Sequence, residues 1–244
     1  MKELKFEGKY YTPEIFRVMW QFLYSKYSDE RYTFNGDKFS RIVGVPKFYE
    51  EPNTINVITI RNNPEIAFND SDTFDNDEMI VYENTSSGGV RLYRFNVTAD
   101  PKSRKDNIAH LLKGCYASYR VGNHRWVPGR TALRQDENKV LVARTDNKGN
   151  IKKVEYGMFG INIHDSGGFR NSSLGCTILA NDVDYKTKFK PMLLRIQKQK
   201  PISYILTDHI DVSKFLNMIK LDSIEPKPIE VYAKYFKKVK HIIE

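Results

Sequence analysis

From Thr12 to about Tyr27 the apolar positions recur at helical spacing. Ile15, Met19, Phe22 and Leu23 fall on one stripe, behind a threonine suited to cap a helix and a proline suited to its first position. The period then shortens. The runs RIVGV, NTINVITIR, EMIVYE and VRLYRFNV are each bounded by Pro, Gly, Asn or Asp and predict strands of a mixed or antiparallel sheet. CYASYRVGNH predicts a further strand ending at His124. The stretch from Arg130 to Gly157 predicts two strands, a turn at Asn147–Asn150 and a third strand. VEYGMFGINIH would place Phe159, Ile161 and Ile163 on one face and Met158, Asn162 and His164 on the other, because side chains alternate along a strand. Beyond Cys176, Asn181 or Asp182 is positioned to cap a helix, and PMLLRIQK carries Met192, Leu193 and Ile196 on one stripe. ISYILT predicts a strand, and DVSKFLNMIK a short helix with Val212, Phe215, Leu216 and Ile219 inward.

The pattern as a whole predicts an α+β protein built on a β-rich mixed or antiparallel sheet. A helical N-terminal segment would occupy residues 1–40, the β domain 41–210, and a C-terminal helix with a basic tail 211–244. At 244 residues the chain suits one domain, or one domain with a sizeable extension. Its 15 Tyr and 14 Phe are enough to fill a proper core. No run approaches the roughly 18 apolar residues of a membrane span. MKELKFEGKYYTPEIF lacks the apolar core of a signal peptide, so the expected route is synthesis in the cytoplasm without a Sec address.

The net charge of +9 points to an anionic partner, whether nucleic acid, an acidic membrane face or cell-wall polymer. Nucleic acid is disfavoured as the main partner. The Lys and Arg are spread along the chain, dense only in YAKYFKKVKHIIE, and no zinc-finger spacing or paired-aromatic signature accompanies them. Asp70, Asp72, Asp75 and Asp77 resemble a calcium loop but lack its glycine and distal glutamate, so a solvated acidic loop is expected. Two cysteines, Cys115 and Cys176, are too few for a disulfide framework or a Cys-rich zinc site. Cys115, in LLKGCYASY, is expected in the core.

The remaining chemistry lies in GINIHDSGGFRNSSLGC. A cysteine acts as a nucleophile when its thiolate is populated and reachable, with a base nearby and donors for the oxyanion. His164 closes a strand, the connection to Cys176 is polar and Gly-rich, and Gly175 lets the backbone approach a ligand. The amides of Gly175 and Cys176 would converge on one carbonyl oxygen, and Ser173 would bond the base or the substrate. The same residues also fit a buried apolar thiol beside a polar strand end. His124, with Trp126 and Arg130, could line the same cleft, although its position fits a structural or surface histidine better, and Arg130 and Arg134 could equally clamp a carboxylate or stand as a solvated pair. His124, His164 and Cys176 offer three ligands for a zinc ion, but no HExxH-like spacing supports a metal, and no cofactor is expected.

The strand-end His164, the Gly-rich loop, Ser173-Leu174-Gly175-Cys176 and the following Asn/Asp-bearing helix start resemble the catalytic motif of the L,D-transpeptidase (YkuD-like) domain. The wider run is similar to a family of uncharacterised phage and prophage proteins. It carries TADP at 98–101, HLLKGCYASYRVGNHR at 110–125, TALRQ at 131–135, KVLVARTDNKGN at 139–150, and FGINIH with SSLGC, over roughly residues 42–207. The resemblance implies Cys176 as nucleophile towards a peptidoglycan stem peptide, His164 as general base, Asp165 as the group orienting the imidazole, Gly175 and Cys176 as oxyanion donors, and Ser173 as a brace. Two positions differ. Leu174 stands where the family often has His, and Ile178 where it has an Arg that holds substrate. These differences favour a cleaving enzyme of phage lysis or entry over a cross-linking one, reaching the wall through a holin, a virion or cell lysis. They are also what a phage structural or wall-binding protein with a degenerate catalytic fold would carry.

Overall fold

Thr12 starts the first helix as its pattern predicts. In the computed structural model, which describes residues 12–62, 77–100, 106–124, 128–166 and 175–219, its hydroxyl accepts the amide of Ile15 at 3.3 Å, and α1 runs Pro13–Asp29. Ile15, Phe16, Met19, Trp20, Leu23 and Tyr27 are buried along it. The helix does not fill the segment assigned to it. After Asp29 the chain forms a hairpin, β1 (Arg31–Phe34) and β2 (Asp37–Ser40), because Asn35 and Gly36 take φ of 50° and 88°, the two positive angles of a tight hairpin turn.

The main sheet holds β3 (Ile42–Val43), β4 (Thr54–Arg61), β5 (Asp77–Asn84), β6 (Val90–Thr98), β8 (Gly114–Asn123), β9 (Thr131–Gln135), β12 (Ile163–Asp165), β13 (Thr177–Leu179) and β14 (Ile202–Asp208). Its order is β14-β4-β5-β6-β13-β12-β9-β8-β3, and β14 also pairs with β8, so the sheet closes on itself. Three pairs are parallel (β14 with β4, β12 with β13, β3 with β8) and the rest antiparallel, a mixed sheet. β7 (Ile108–Leu111), β10 (Val140–Thr145) and β11 (Ile151–Gly157) make a second, three-stranded sheet.

Both faces of β4, β5 and β14 are covered, which is why their sequences read as nearly continuous apolar runs. Ile55, Val57, Met79, Val81, Tyr204 and Leu206 face one core, shared with the second sheet and with Phe189, Met192, Leu193 and Ile196. Ile58, Ile60, Ile80, Tyr82 and Ile205 face a second core under α1 and α4 (His209–Ile219). Val212, Phe215 and Ile219 of α4 are inward there, as their spacing predicts, with Leu216 packed at the margin. The first and last described helices therefore share one hydrophobic cluster on the sheet instead of standing as separate terminal segments. Asn181 caps the helical run after the site, accepting the amides of Val183 and Asp184 at 2.8 and 3.3 Å. That run comprises α2 (Asp182–Asp184), a π-helical turn (Tyr185–Phe189) and α3 (Lys190–Arg195). The wide turn accommodates Pro191, which has no N–H to offer the ladder.

The acidic stretch resolves differently from its composition. Asp70, Asp72 and Asp75 lie outside the described residues, while Asp77 is buried at the start of β5 and accepts the amides of Asn62 and Ala99, both at 2.8 Å. Burial, and then the neighbouring Asp100 carboxylate, push the Asp77 carboxyl up to about 6. The folded chain thus keeps a proton that the unfolded chain has already lost above its own lower pKa. Unfolding releases it, so the contribution of this group to stability falls as pH rises from about 4 to about 6 and is flat beyond. Urea midpoints of wild type and Asp77→Asn between pH 4 and 7 should show the wild type losing stability relative to the variant across that window. Parallel curves would contradict the assignment.

Candidate functional site

Two glycines decide where the site strand begins. The run from Val154 to His164 is not one strand. A Cβ on Gly157 would lie 2.2 Å from the Phe159 ring, and Gly160 takes φ of 70°, so β11 ends at Gly157 and β12 covers only Ile163–Asp165. The expected alternation is correspondingly partial: Met158 is exposed, but Ile161, Asn162, Ile163 and His164 are all buried. β12 lies between β9 and β13, with Ile163 opposite both Leu133 and Thr177. This parallel pairing with β13 puts Cys176 beside the strand that carries His164. Residues 167–174 lie outside the described residues, and with them Ser173 and Leu174; Trp126 does also.

Cys176 is half-buried. Its Sγ receives the backbone N–H of Asn162 at 3.4 Å and lies 3.5 Å from the carbonyl of Gly160. Cys115 contrasts with it. That thiol is sealed in the second core, where burial pushes it well above its ordinary range, and the two cysteines are not joined.

Gly175 precedes Cys176 at φ 145°, and a Cβ there would come within 2.8 Å of both the Ala109 carbonyl and Ile161 Cδ1. An alanine must displace backbone on one side. Gly175→Ala is expected to cost about 1–3 kcal/mol in stability, read from its urea midpoint, and to shift Cys176. A variant with wild-type stability would show that the turn relaxes freely.

His164 is oriented from its Nδ1. That nitrogen lies 2.6 Å from the Asp165 carbonyl oxygen, which can only accept, while Arg130 Nη2 stands farther off at 3.5 Å; the shorter contact makes Nδ1 the donor, and in the neutral ring Nε2 then carries the lone pair. The Asp165 carboxylate lies farther from the ring, at 3.9 Å. It is taken instead by Arg130, whose Nε donates to Oδ1 at 2.8 Å while Nη2 donates to the Asp165 carbonyl at 3.2 Å. Of the two ways Asp165 could orient the imidazole, the carbonyl is the one in reach. The expected clamp residues are occupied within this chain: Arg130 braces Asp165, and Arg134 donates to Asp136 at 3.0 Å. Tyr185, whose hydroxyl donates to Thr131 O at 2.9 Å, is pushed up to about 12 by burial and then by the Asp165 charge, which keeps it a neutral donor. Ile178 is buried in β13 opposite His164.

His124 follows β8 and is buried, its imidazole stacked on that of His164 with ring centres 3.7 Å apart. One ring nitrogen of each histidine and the Cys176 sulfur all lie within 4.8 Å of one another. Comparison with family models, curated proteins and solved structures returned no match for this chain. The site is therefore read from its own geometry.

Two residues not singled out by the sequence hold it together. Asn162 offers its N–H to Sγ, its carbonyl to the amide of Thr177 (2.9 Å), its Oδ1 to the amide of Gln135 (3.0 Å) and its Nδ2 to His124 Nδ1 (3.3 Å). Gln135 Oε1 accepts the amides of Phe159 and Ile161 at 3.0 and 3.1 Å, and its Nε2 donates to Gly157 O at 2.8 Å. It thereby pins the irregular segment leading into β12. The sequence signal for Asn162 was its place on the His164 side of GINIH. Gln135 entered only as the last residue of TALRQ, since Gly157, Phe159, Ile161 and Asn162 all lie more than twenty residues from it.

Proposed function

We propose that the protein is a cysteine-dependent, peptidoglycan-directed enzyme of the phage lysis or entry type, cleaving or exchanging a stem-peptide amide through a Cys176 acyl-enzyme. The observation that carries this reading is the approach of Cys176 to a His164 whose Nδ1 proton is held by the Asp165 carbonyl, leaving Nε2 as the base. In the first half-reaction Nε2 takes the Sγ proton and sulfur attacks the amide carbon. The C–S bond forms as the carbonyl π pair moves to oxygen. Collapse then breaks the C–N bond, and His164 returns its proton to the leaving amine. Water or an acceptor amine, deprotonated by His164, attacks the thioester and frees the thiol. The amides of Gly175 and Cys176 are the backbone donors proposed for the oxyanion.

Hydrolysis is favoured over transfer because Ile178 leaves a buried apolar side chain where a transpeptidase carries its substrate-holding Arg, and Arg130 and Arg134 are paired internally. The net charge of +9 suits an anionic wall polymer. None of the described helices is long and apolar enough to cross a membrane. The second reading, a wall-binding phage structural protein with a degenerate catalytic fold, draws on Leu174 and Ile178.

Purified peptidoglycan of several chemotypes, digested with wild type and with Cys176→Ala and read by mass spectrometry, separates them. New stem-peptide products from the wild type alone establish the enzyme, and their masses name the bond. Empty traces from both leave the binding protein.

A further inference from the structure

The two stacked imidazoles are not equivalent. Asn162 Oδ1 is fixed by the Gln135 backbone N–H, which can only donate, so the amide of Asn162 has one orientation and presents its N–H to His124 Nδ1. His124 Nδ1 therefore accepts, and the ring proton resides on Nε2. His164 is the reverse, with its proton on Nδ1 and its lone pair on Nε2. One imidazole of the pair is built as a base and the other as a donor.

We propose that His124 is a second catalytic histidine, whose Nε2–H donates to the sulfur anion and then, as sulfur attacks the amide carbon, to the oxyanion that forms on the carbonyl oxygen. This rests on the reading of Cys176 as nucleophile and names the group that stabilises its charge. Oxyanion donors act at about 2.7–3.1 Å from the developing charge, and one ring nitrogen of His124 lies within 4.8 Å of the sulfur, close enough for a group attacked there to come into its reach. Stacking on His164 holds the donor ring in place. Among the described residues, the titratable groups near the pair include His164 and Asp165 on β12, Arg130 before β9, Tyr185 on the π-helical turn and Tyr119 on β8.

The same three side chains could reach one zinc ion, but the hydrogen bonding argues for the donor. A metal-bound histidine gives its other N–H to an acceptor, whereas His124 Nδ1 faces the N–H of Asn162.

The test is the rate of Cys176 alkylation by iodoacetamide against pH, quantified by peptide mapping so that Cys115 is excluded. Wild type is compared with His164→Ala, His124→Leu and His124→Gln; leucine removes the donor while filling space, and glutamine retains an N–H. His124→Leu should slow alkylation at neutral pH at least about tenfold and move the profile to higher pH, the size of one hydrogen bond to a charged group. Glutamine should recover most of that rate. Equal losses in the leucine and glutamine variants would assign His124 to packing and overturn the proposal, as would no loss in either. A thiolate-to-cobalt absorption band on adding Co²⁺ that vanishes in both His124 variants would overturn it in favour of a metal ligand. If wild-type Cys176 reacts no faster than an ordinary thiol and is indifferent to His164→Ala, the nucleophile reading itself fails, a result distinct from all of these.

Discussion

Replacing Cys176 with alanine is expected to remove all release of stem-peptide products from peptidoglycan, a loss of about 10⁴-fold or more in kcat. No other described thiol can stand in. Cys115 lies in the opposite core, sealed from solvent and raised by that burial. His164→Ala should fall nearly as far, and the double variant no further, because in the proposed mechanism nucleophile and base act as one unit and the losses of such a unit do not add. Arg130→Met should be milder. Its guanidinium touches Asp165, so its removal loosens the imidazole's anchor without deleting a reacting group. Additive losses for Cys176 and His164 would mean that they do not share a step. Retained activity in Cys176→Ala would remove the cysteine mechanism.

The largest expected effect on stability lies beside the site. Arg61 and Asp100 pair at 2.9 Å with both side chains only 3% exposed, and Arg61 Nη2 also donates to Leu111 O at 2.8 Å. Arg61→Met would leave the Asp100 carboxylate buried without its cation and next to Asp77. Breaking a buried pair from one side costs about 3–5 kcal/mol, a large part of the 5–15 kcal/mol typical of a folded domain. The urea midpoint of Arg61→Met should fall accordingly. Arg61→Met with Asp100→Leu should recover much of the loss, since an apolar pair needs no desolvation of charge. A double variant as unstable as the single one would show that the arginine holds the fold through Leu111 and not through the ion pair. His110, next to the Ala109 carbonyl that crowds Gly175, lies 3.9 Å from Asp100, so this pair is linked through β7 to the residue before Cys176.

The elements were largely legible because they rest on local chemistry. Thr12 and Asn181 cap by hydrogen bonds to amides two or three residues on, and Met192, Leu193, Ile196, Val212 and Phe215 are inward because helical spacing puts them on one side. Doubly covered strands such as TINVITIR announce themselves by having no polar face. The hairpin at 31–40 rests on the positive φ of Asn35 and Gly36, which a count of hydrophobic positions does not register. The single strand expected at 154–164 failed because Gly157 and Gly160 break it, and alternation counts side chains without sensing backbone angles.

For the site, the chain by itself determined the residue types and their rough company: a strand-end histidine, a glycine before a cysteine, and a second histidine closing another strand. Tertiary structure alone decided the rest. The parallel pairing of β12 with β13 sets the sulfur near the imidazole, and closure of the sheet from β8 through β9 to β12 stacks His124 on His164. Arg130 and Arg134 could not be told from free cations until Asp165 and Asp136 stood beside them. Asn162 became central only once Gln135, His124, Cys176 and Thr177 met around it. The physical reason is the range of the forces involved. Caps and hydrophobic periods act within a few residues, whereas a tautomer or an ion pair is set by whichever donor or charge the fold brings within hydrogen-bonding reach.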